Sequence, residues 1–316
     1  MLRRFAALIF LVVFVVAVGL REPRFFASQS IESVLLWMPL IVIGALGEFM
    51  VIVSGGIDIS IGSILGFAGI GVGLVVKANP NLPVPVLLVI GCALGLLLGI
   101  VNASLITWAK ISPLIVTIGT LAAFRGLTFL LSKGDQIDSS MIPDSLTGLA
   151  NKGIPVFGVN VSWLFVIAMV MAGMVAWSLR NTVAGRNLFA YGNDAHSAHL
   201  RGVSGNAVTF WVYALSGAFA GLGGVMYAAR FGFVNPGSAG QNLELTVIAA
   251  VAIGGTKLTG GSGTISGVLT GCLLLSCINV GLSVLGIDAN WQMLAYGLVI
   301  VVAIIVDGLT ARRQAV

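Results

Sequence analysis

Long apolar runs separated by short polar breaks cover almost the whole chain. They lie near residues 5–20, 34–53, 59–76, 84–109, 113–132, 161–180, 207–229, 243–255, 264–286 and 291–308, ten in all. A helix rises 1.5 Å per residue, so about 20 apolar residues cross a bilayer. The eighth run is short for that purpose. The pattern predicts an all-α, polytopic membrane protein with about ten transmembrane helices in one domain, residues 1–316. Arg3 and Arg4 precede the first run, as in a signal peptide, but Arg21-Glu22-Pro23-Arg24 follows with no small-x-small cleavage site. The run therefore reads as a retained first span.

Composition strengthens this reading. Of the 316 residues, 58% are hydrophobic and 9% are charged, against about 25% charged in a soluble domain. The net charge of +5 does not indicate nucleic acid, because the Lys and Arg residues are scattered singly or in pairs, with no basic face. They act instead as topology signals. With the N-terminus inside, nine fall on the cytoplasmic side and six outside, leaving Arg125 within a span. Arg180, Arg186 and Arg201 cluster around the loop 181–206. Both termini are expected in the cytoplasm. Cys92, Cys272 and Cys277 sit in apolar runs without metal-ligand spacing, as buried free thiols.

Catalytic and cofactor chemistry has no visible machinery. There is no G-x-x-x-x-G-K-[ST] loop to cradle a nucleotide and no zinc or nucleophile-elbow motif. His196 and His199 share a helix face, but no third metal ligand accompanies them. The expectation is a non-enzyme with no cofactor and no metal.

Two glycine-rich breaks carry more information. Residues 54–63 read SGGIDISIGS, and residues 253–262 read IGGTKLTGGS. Interrupted backbone survives at membrane depth only where protein or a water-filled cavity covers it. Gly55, Gly56, Gly254, Gly255 and Gly261 mark such interruptions. Ser54, Ser60, Ser63, Thr256, Thr259 and Ser262 can satisfy the freed backbone groups. Asp58 precedes the third span, where a helix N-terminus attracts negative charge. Small residues also serve close helix packing, so either role fits each break taken alone. Both breaks fall on the cytoplasmic side, six spans apart.

Polar residues within the spans are costly and call for partners. Glu48 in span two and Arg125 in span five either pair as a structural lock or line a polar passage. Asn102, Asn279 and Gln292 are further pathway candidates or interhelical glue. Of the carboxylates, only Glu48 lies well within a span, which is thin support for an ion-coupled secondary transporter.

Four motifs in order carry a resemblance: SGGIDISIGS, TIGTLAAFRGL (117–127), GRNLFAYGNDAHSAHLRGV (185–203) and IGGTKLTGGSGTISGVLTG (253–271). From about residue 30 to residue 307 the chain resembles the permease subunits of ribose-type ABC sugar importers, in a superfamily that includes branched-chain amino acid permeases. The resemblance implies a type II-like permease fold in the bacterial inner membrane. It implies a second permease copy, identical or paralogous, an ATP-binding subunit with two nucleotide domains that hold ATP and Mg²⁺, and a periplasmic sugar-binding protein. The implied cargo is a ribose-like monosaccharide, or alternatively the autoinducer-2 signal or another small polar solute.

The resemblance also implies a coupling helix in loop 181–206, with Gly185, Arg186, Gly192, Asn193, Asp194, Ala195, Ala198, Leu200, Arg201 and Gly202 as coupling residues. The residues read the same way. Asn193-Asp194 can cap a short helix through Arg201, and Gly202 can end it. Loop 133–160, with Asp135, Asp138 and Asp144, would then meet the binding protein.

Overall fold

A computed structural model describes residues 2–288 of the chain and five further positions between 291 and 301. Gln292 lies outside the described residues, as does most of the tenth apolar run. The helices in chain order are α1 (Leu2–Arg21), α2 (Ser28–Val53), α3 (Ile61–Ala78), α4 (Val84–Thr107), α5 (Pro113–Ser132), α6 (Asp144–Asn151), α7 (Trp163–Asn181), α8 (Val183–Asn193), α9 (Ala195–Leu200), α10 (Gly205–Phe231), α11 (Leu243–Ile253) and α12 (Ile265–Val284). Seven of them, α2, α3, α4, α5, α7, α10 and α12, are long and apolar enough to cross a membrane. The first predicted run is helical as α1, whereas the eighth, α11, has only 11 residues.

Local chemistry sets the boundaries. Proline in the first turn starts α4 and α5, where its missing N–H costs no helical bond. Ser162, Ser204 and Thr264 cap α7, α10 and α12 by accepting a backbone N–H three residues on, which satisfies donors that helix geometry leaves orphaned.

Helix α2 forms the axis. Its most apolar stretch is 89% buried, against 22% for α4, 28% for α5 and 22% for α7. These three turn their bare apolar faces, including Val89, Leu97, Ile115, Leu130 and Trp177, towards what composition requires to be lipid. Helices α7, α10, α11 and α12 sheathe α2. The closest helix pair is α4 with α10, where Gly91, Gly95 and Gly99 meet Gly217 and Gly221 backbone to backbone. Apolar side chains gain little by leaving lipid for one another, so packing of small residues of this kind holds membrane helices together.

The segment expected as a plain outer loop is folded. After α6, β1 (Gly153–Val156) pairs antiparallel with β2 (Val159–Ser162), Gly153 opposite Ser162, so the fold is not purely α. The Glu32 carboxylate of α2 accepts the Asn160 N–H at 2.7 Å and anchors this hairpin. Asp135, Asp138 and Asp144 are all exposed here.

Candidate functional site

The first glycine break turns back into the protein. Gly55, at φ +90°, uses the left-handed conformation that glycine adopts without strain. The N–H groups of Gly55 and Gly56 return to the carbonyls of Ile52 and Val51 and close α2. Beyond Gly56 the chain climbs alongside α2 rather than leaving it. The Asp58 N–H donates to both oxygens of the Glu48 carboxylate at 3.3 Å.

The Asp58 side chain, wholly buried, is fully engaged. Its Oδ1 accepts the Ser60 N–H at 2.9 Å and the Ser60 hydroxyl at 2.6 Å, and its Oδ2 accepts the Ser216 hydroxyl at 3.0 Å. Asn102 Nδ2 donates to Ser60 Oγ at 2.7 Å. The Tyr213 and Thr117 hydroxyls donate to the Ile57 carbonyl at 3.2 and 3.4 Å. Side chains from α2, α4, α5 and α10 thus grip seven residues of non-helical backbone, the cover that such backbone needs at membrane depth.

This knot settles the placement of two pathway candidates. Glu48 and Asn102 are both 0% exposed and hold the break. They do not line an opening in this conformation. Among the described residues no ion pair joins Glu48 to Arg125: Glu48 accepts the Asp58 N–H, and Nη1 of Arg125 donates to carbonyls of the segment before α11. Of the two roles the sequence left open for Glu48 and Arg125, the mutual lock does not form. Asn279 lies half-buried on α12.

The second break meets the first. The Gly261 N–H donates to the Val53 carbonyl at the end of α2, at 2.9 Å. A methyl group on Gly260 would press on the backbone of Gly55, and one on Gly254 would strike Gly267 at the start of α12. Ser54 donates its hydroxyl to the Val51 carbonyl at 2.6 Å, as the sequence leads one to expect. Thr256 departs from expectation: its hydroxyl is buried and has no partner.

Segment 181–206 holds two helices where one was expected. Thr182 caps α8 through the Gly185 N–H. Asn193 is the last residue of α8, and Asp194 alone caps α9, taking the N–H groups of His196 and Ser197. Hydrogen bonds from the Ser197 hydroxyl and N–H hold the Asp194 carboxyl below the usual carboxylate range. Gly202, at φ +82°, follows α9 as predicted.

The coupling candidates divide between two sides. Arg186, Asn193, Asp194, Ala195, Leu200, Arg201 and Gly202 are exposed, with Leu200 74% exposed, while Gly185 and Ala198 are buried. Gly192 faces inward. A methyl group there would collide with the Val53 carbonyl and the Gly261 N–H. Both breaks and the end of α8 therefore converge on one point.

A third feature lies deeper. Gly44 of α2 faces Val247 of α11 and Ile61, the first residue of α3. Nine residues separate Gly44 from Val53, about 14 Å along the helix, so α3 and α11 both begin near the middle of a bilayer whose apolar core is about 30 Å thick. Residues 232–242 reach that depth without helix. They run along α3, where Ala239 and Gly240 carbonyls press on Gly66 and Gly62. Arg125 of α5 fastens this descent, its Nη1 donating to the carbonyls of Ala239 at 2.6 Å and Pro236 at 3.3 Å.

Of α3 and α11, α3 with 18 residues is long enough to cross a membrane and α11 with 11 is not. A short helix that starts near the midplane, as α11 does, marks solute-handling sites in transport proteins. Comparison with known proteins agrees. The model of the family described as "Branched-chain amino acid transport system / permease component" matches residues 30–304. The chain belongs to this permease family. Its relatives include the "Autoinducer 2 import system permease protein LsrC" of Photorhabdus luminescens, 34% identical over 91% of this chain and 84% of the relative. The same-named proteins of Salmonella typhi and Escherichia coli O9:H4 (strain HS) are each 33% identical over 97% of this chain, covering 86% and 87% of those relatives. No solved structure matches.

In this permease, reading the sequence missed Tyr213, Ser216 and Thr117, which complete the knot, and Glu244, a second carboxylate within a span. The signal for Glu244 was a lone acid in LELTVIAAVAI. The others are hydroxyls whose pairing depends on tertiary contacts.

Proposed function

We propose that the chain is the permease subunit of an ABC importer, carrying a small polar, sugar-like solute across the bacterial inner membrane. In this reading α8, α9 and both chain termini face the cytoplasm, and a partner subunit hydrolyses ATP. The names of the relatives favour an autoinducer-2-type solute over ribose itself. The absence of a phosphate-cradling loop is consistent with nucleotide chemistry on another chain.

One observation carries the proposal: the end of α8 rests, backbone on backbone, against both glycine breaks. Exposed Leu200 and Arg201 offer α9 to the groove of an ATPase. Closure of that ATPase displaces α8 and α9, and the contact at Gly192 passes the displacement to the ends of α2, α11 and α12. The breaks let these helices rock while their backbone polar groups stay covered.

The test uses Leu200→Asp in the assembled importer. Membrane insertion and the permease fold should be unchanged, while solute-stimulated ATPase activity disappears. Full stimulation in this variant would remove the coupling role from α9.

A further inference from the structure

We propose that Glu244 and Arg125, with exposed Gln241 beside them, form the point at which the solute is held halfway across the membrane, and that the solute is a neutral polyol gripped through its hydroxyl groups. This inference rests on the importer reading above and names the contact inside it.

The geometry begins with Glu244. It is the second residue of α11, at the middle of the bilayer, and is only 8% exposed. Its Oε2 is buried and accepts no hydrogen bond. The Glu244 N–H serves the carboxylate at the first turn of α11, while Oε2 rests on Gly62 of α3, so one buried oxygen is left unserved at a cost. Arg125 lies close enough for electrostatic attraction, yet among the described residues no ion pair closes between them. Only Nη1 of Arg125 is engaged, which leaves the rest of its donor fork uncommitted.

An acceptor and a donor fork held apart are what a polyol takes between them. One hydroxyl donates to the carboxylate while a neighbouring oxygen accepts from the guanidinium. The solute need carry no charge. The approach is open and lightly polar. Gly237, Ser238 and Gln241 are exposed on the non-helical segment. The Gln241 side chain offers an amide contact of the kind a sugar uses, beside the Ser238 side chain that is hydrogen-bonded to Tyr227.

The experiment employs the complete importer in proteoliposomes, with labelled ribose and autoinducer-2 as probes and leucine as a zwitterionic comparison. Glu244→Gln and Glu244→Met remove the charge at near-constant volume. Uptake should fall about 10- to 100-fold, the usual effect of losing a hydrogen bond to a charged group. The melting temperature of the purified complex should hold, because the buried Oε2 that is replaced accepts no hydrogen bond. Arg125→Lys should lower uptake in parallel while the complex still assembles. A cysteine placed by Gln241→Cys should react with maleimide and be protected by the transported probe.

Uptake within about two-fold of wild type in both Glu244 variants, or a lowered melting temperature with loss of the complex, overturns the site. Wild-type uptake of leucine but of neither sugar probe overturns the solute class while leaving the importer reading intact. Uphill uptake by the permease alone would instead sink the importer reading itself.

Discussion

At residue scale the interior is organised by a few polar atoms with strict demands. Ser216 supplies the single hydroxyl bonded to Asp58 Oδ2. Ser216→Ala should destabilise the permease by about 1–3 kcal/mol, the cost of leaving a buried acceptor unsatisfied, read as a lower midpoint in detergent thermal unfolding. Asp58 and Ser60 were legible in SGGIDISIGS because a charge amid glycines in an oily chain demands a partner. Ser216 was not legible, since nothing in SGAFAG separates a hydroxyl that packs from one that bonds. Glu48 and Arg125 invited pairing because opposite charges in lipid attract. Each instead found backbone partners nearer to hand, which sequence spacing does not reveal.

At the scale of elements, boundaries followed local chemistry and depth did not. The Asp194 cap, the shortness of α11 and the ending of α9 at Gly202 could be read from the chain. The hairpin of β1 and β2 and the separate helix α8 could not. Four-residue strands carry too little pattern, and the LFAYGN stretch of α8 is stabilised by contact with the breaks.

Asp194 gives a pH prediction for α9. Its carboxyl is held below the ordinary value in the folded state, so its stabilising contribution is present above the unfolded carboxylate range. That contribution is lost as pH falls through the lowered value. Asp194→Asn should keep the cap and its coupling, because asparagine caps as well as aspartate. Asp194→Ala should lower solute-stimulated ATPase activity while the assembled complex remains intact. Equal activity in the Asn and Ala variants would show that α9 needs no cap.

At the scale of the molecule, two kinds of close contact lie in different places. The α2 axis is sheathed by its neighbours and α4 meets α10 backbone to backbone, while the end of α8 meets both glycine breaks. Gly192→Ala inserts a methyl group between α8 and that meeting point. It should leave the ATPase bound on co-purification while transport falls, in contrast to Leu200→Asp, which acts from the outer surface of α9. Transport at the wild-type rate in Gly192→Ala would show that the contact is incidental.

The seating of α8 on Val53 and Gly261 also bears on how such permeases could be re-engineered. Under the proposed coupling role, residues 183–203 invite transplantation from one relative to another as a cassette that chooses the ATPase. Here that cassette has no free underside, since Gly192 in the last turn of α8 is pressed on Gly261 and Val53, about 70 and 140 positions away. A chimera that exchanges the cassette alone would recognise a new motor without obeying it. Exchanging residues 53–60 and 254–263 along with it is the condition for a hybrid that turns over.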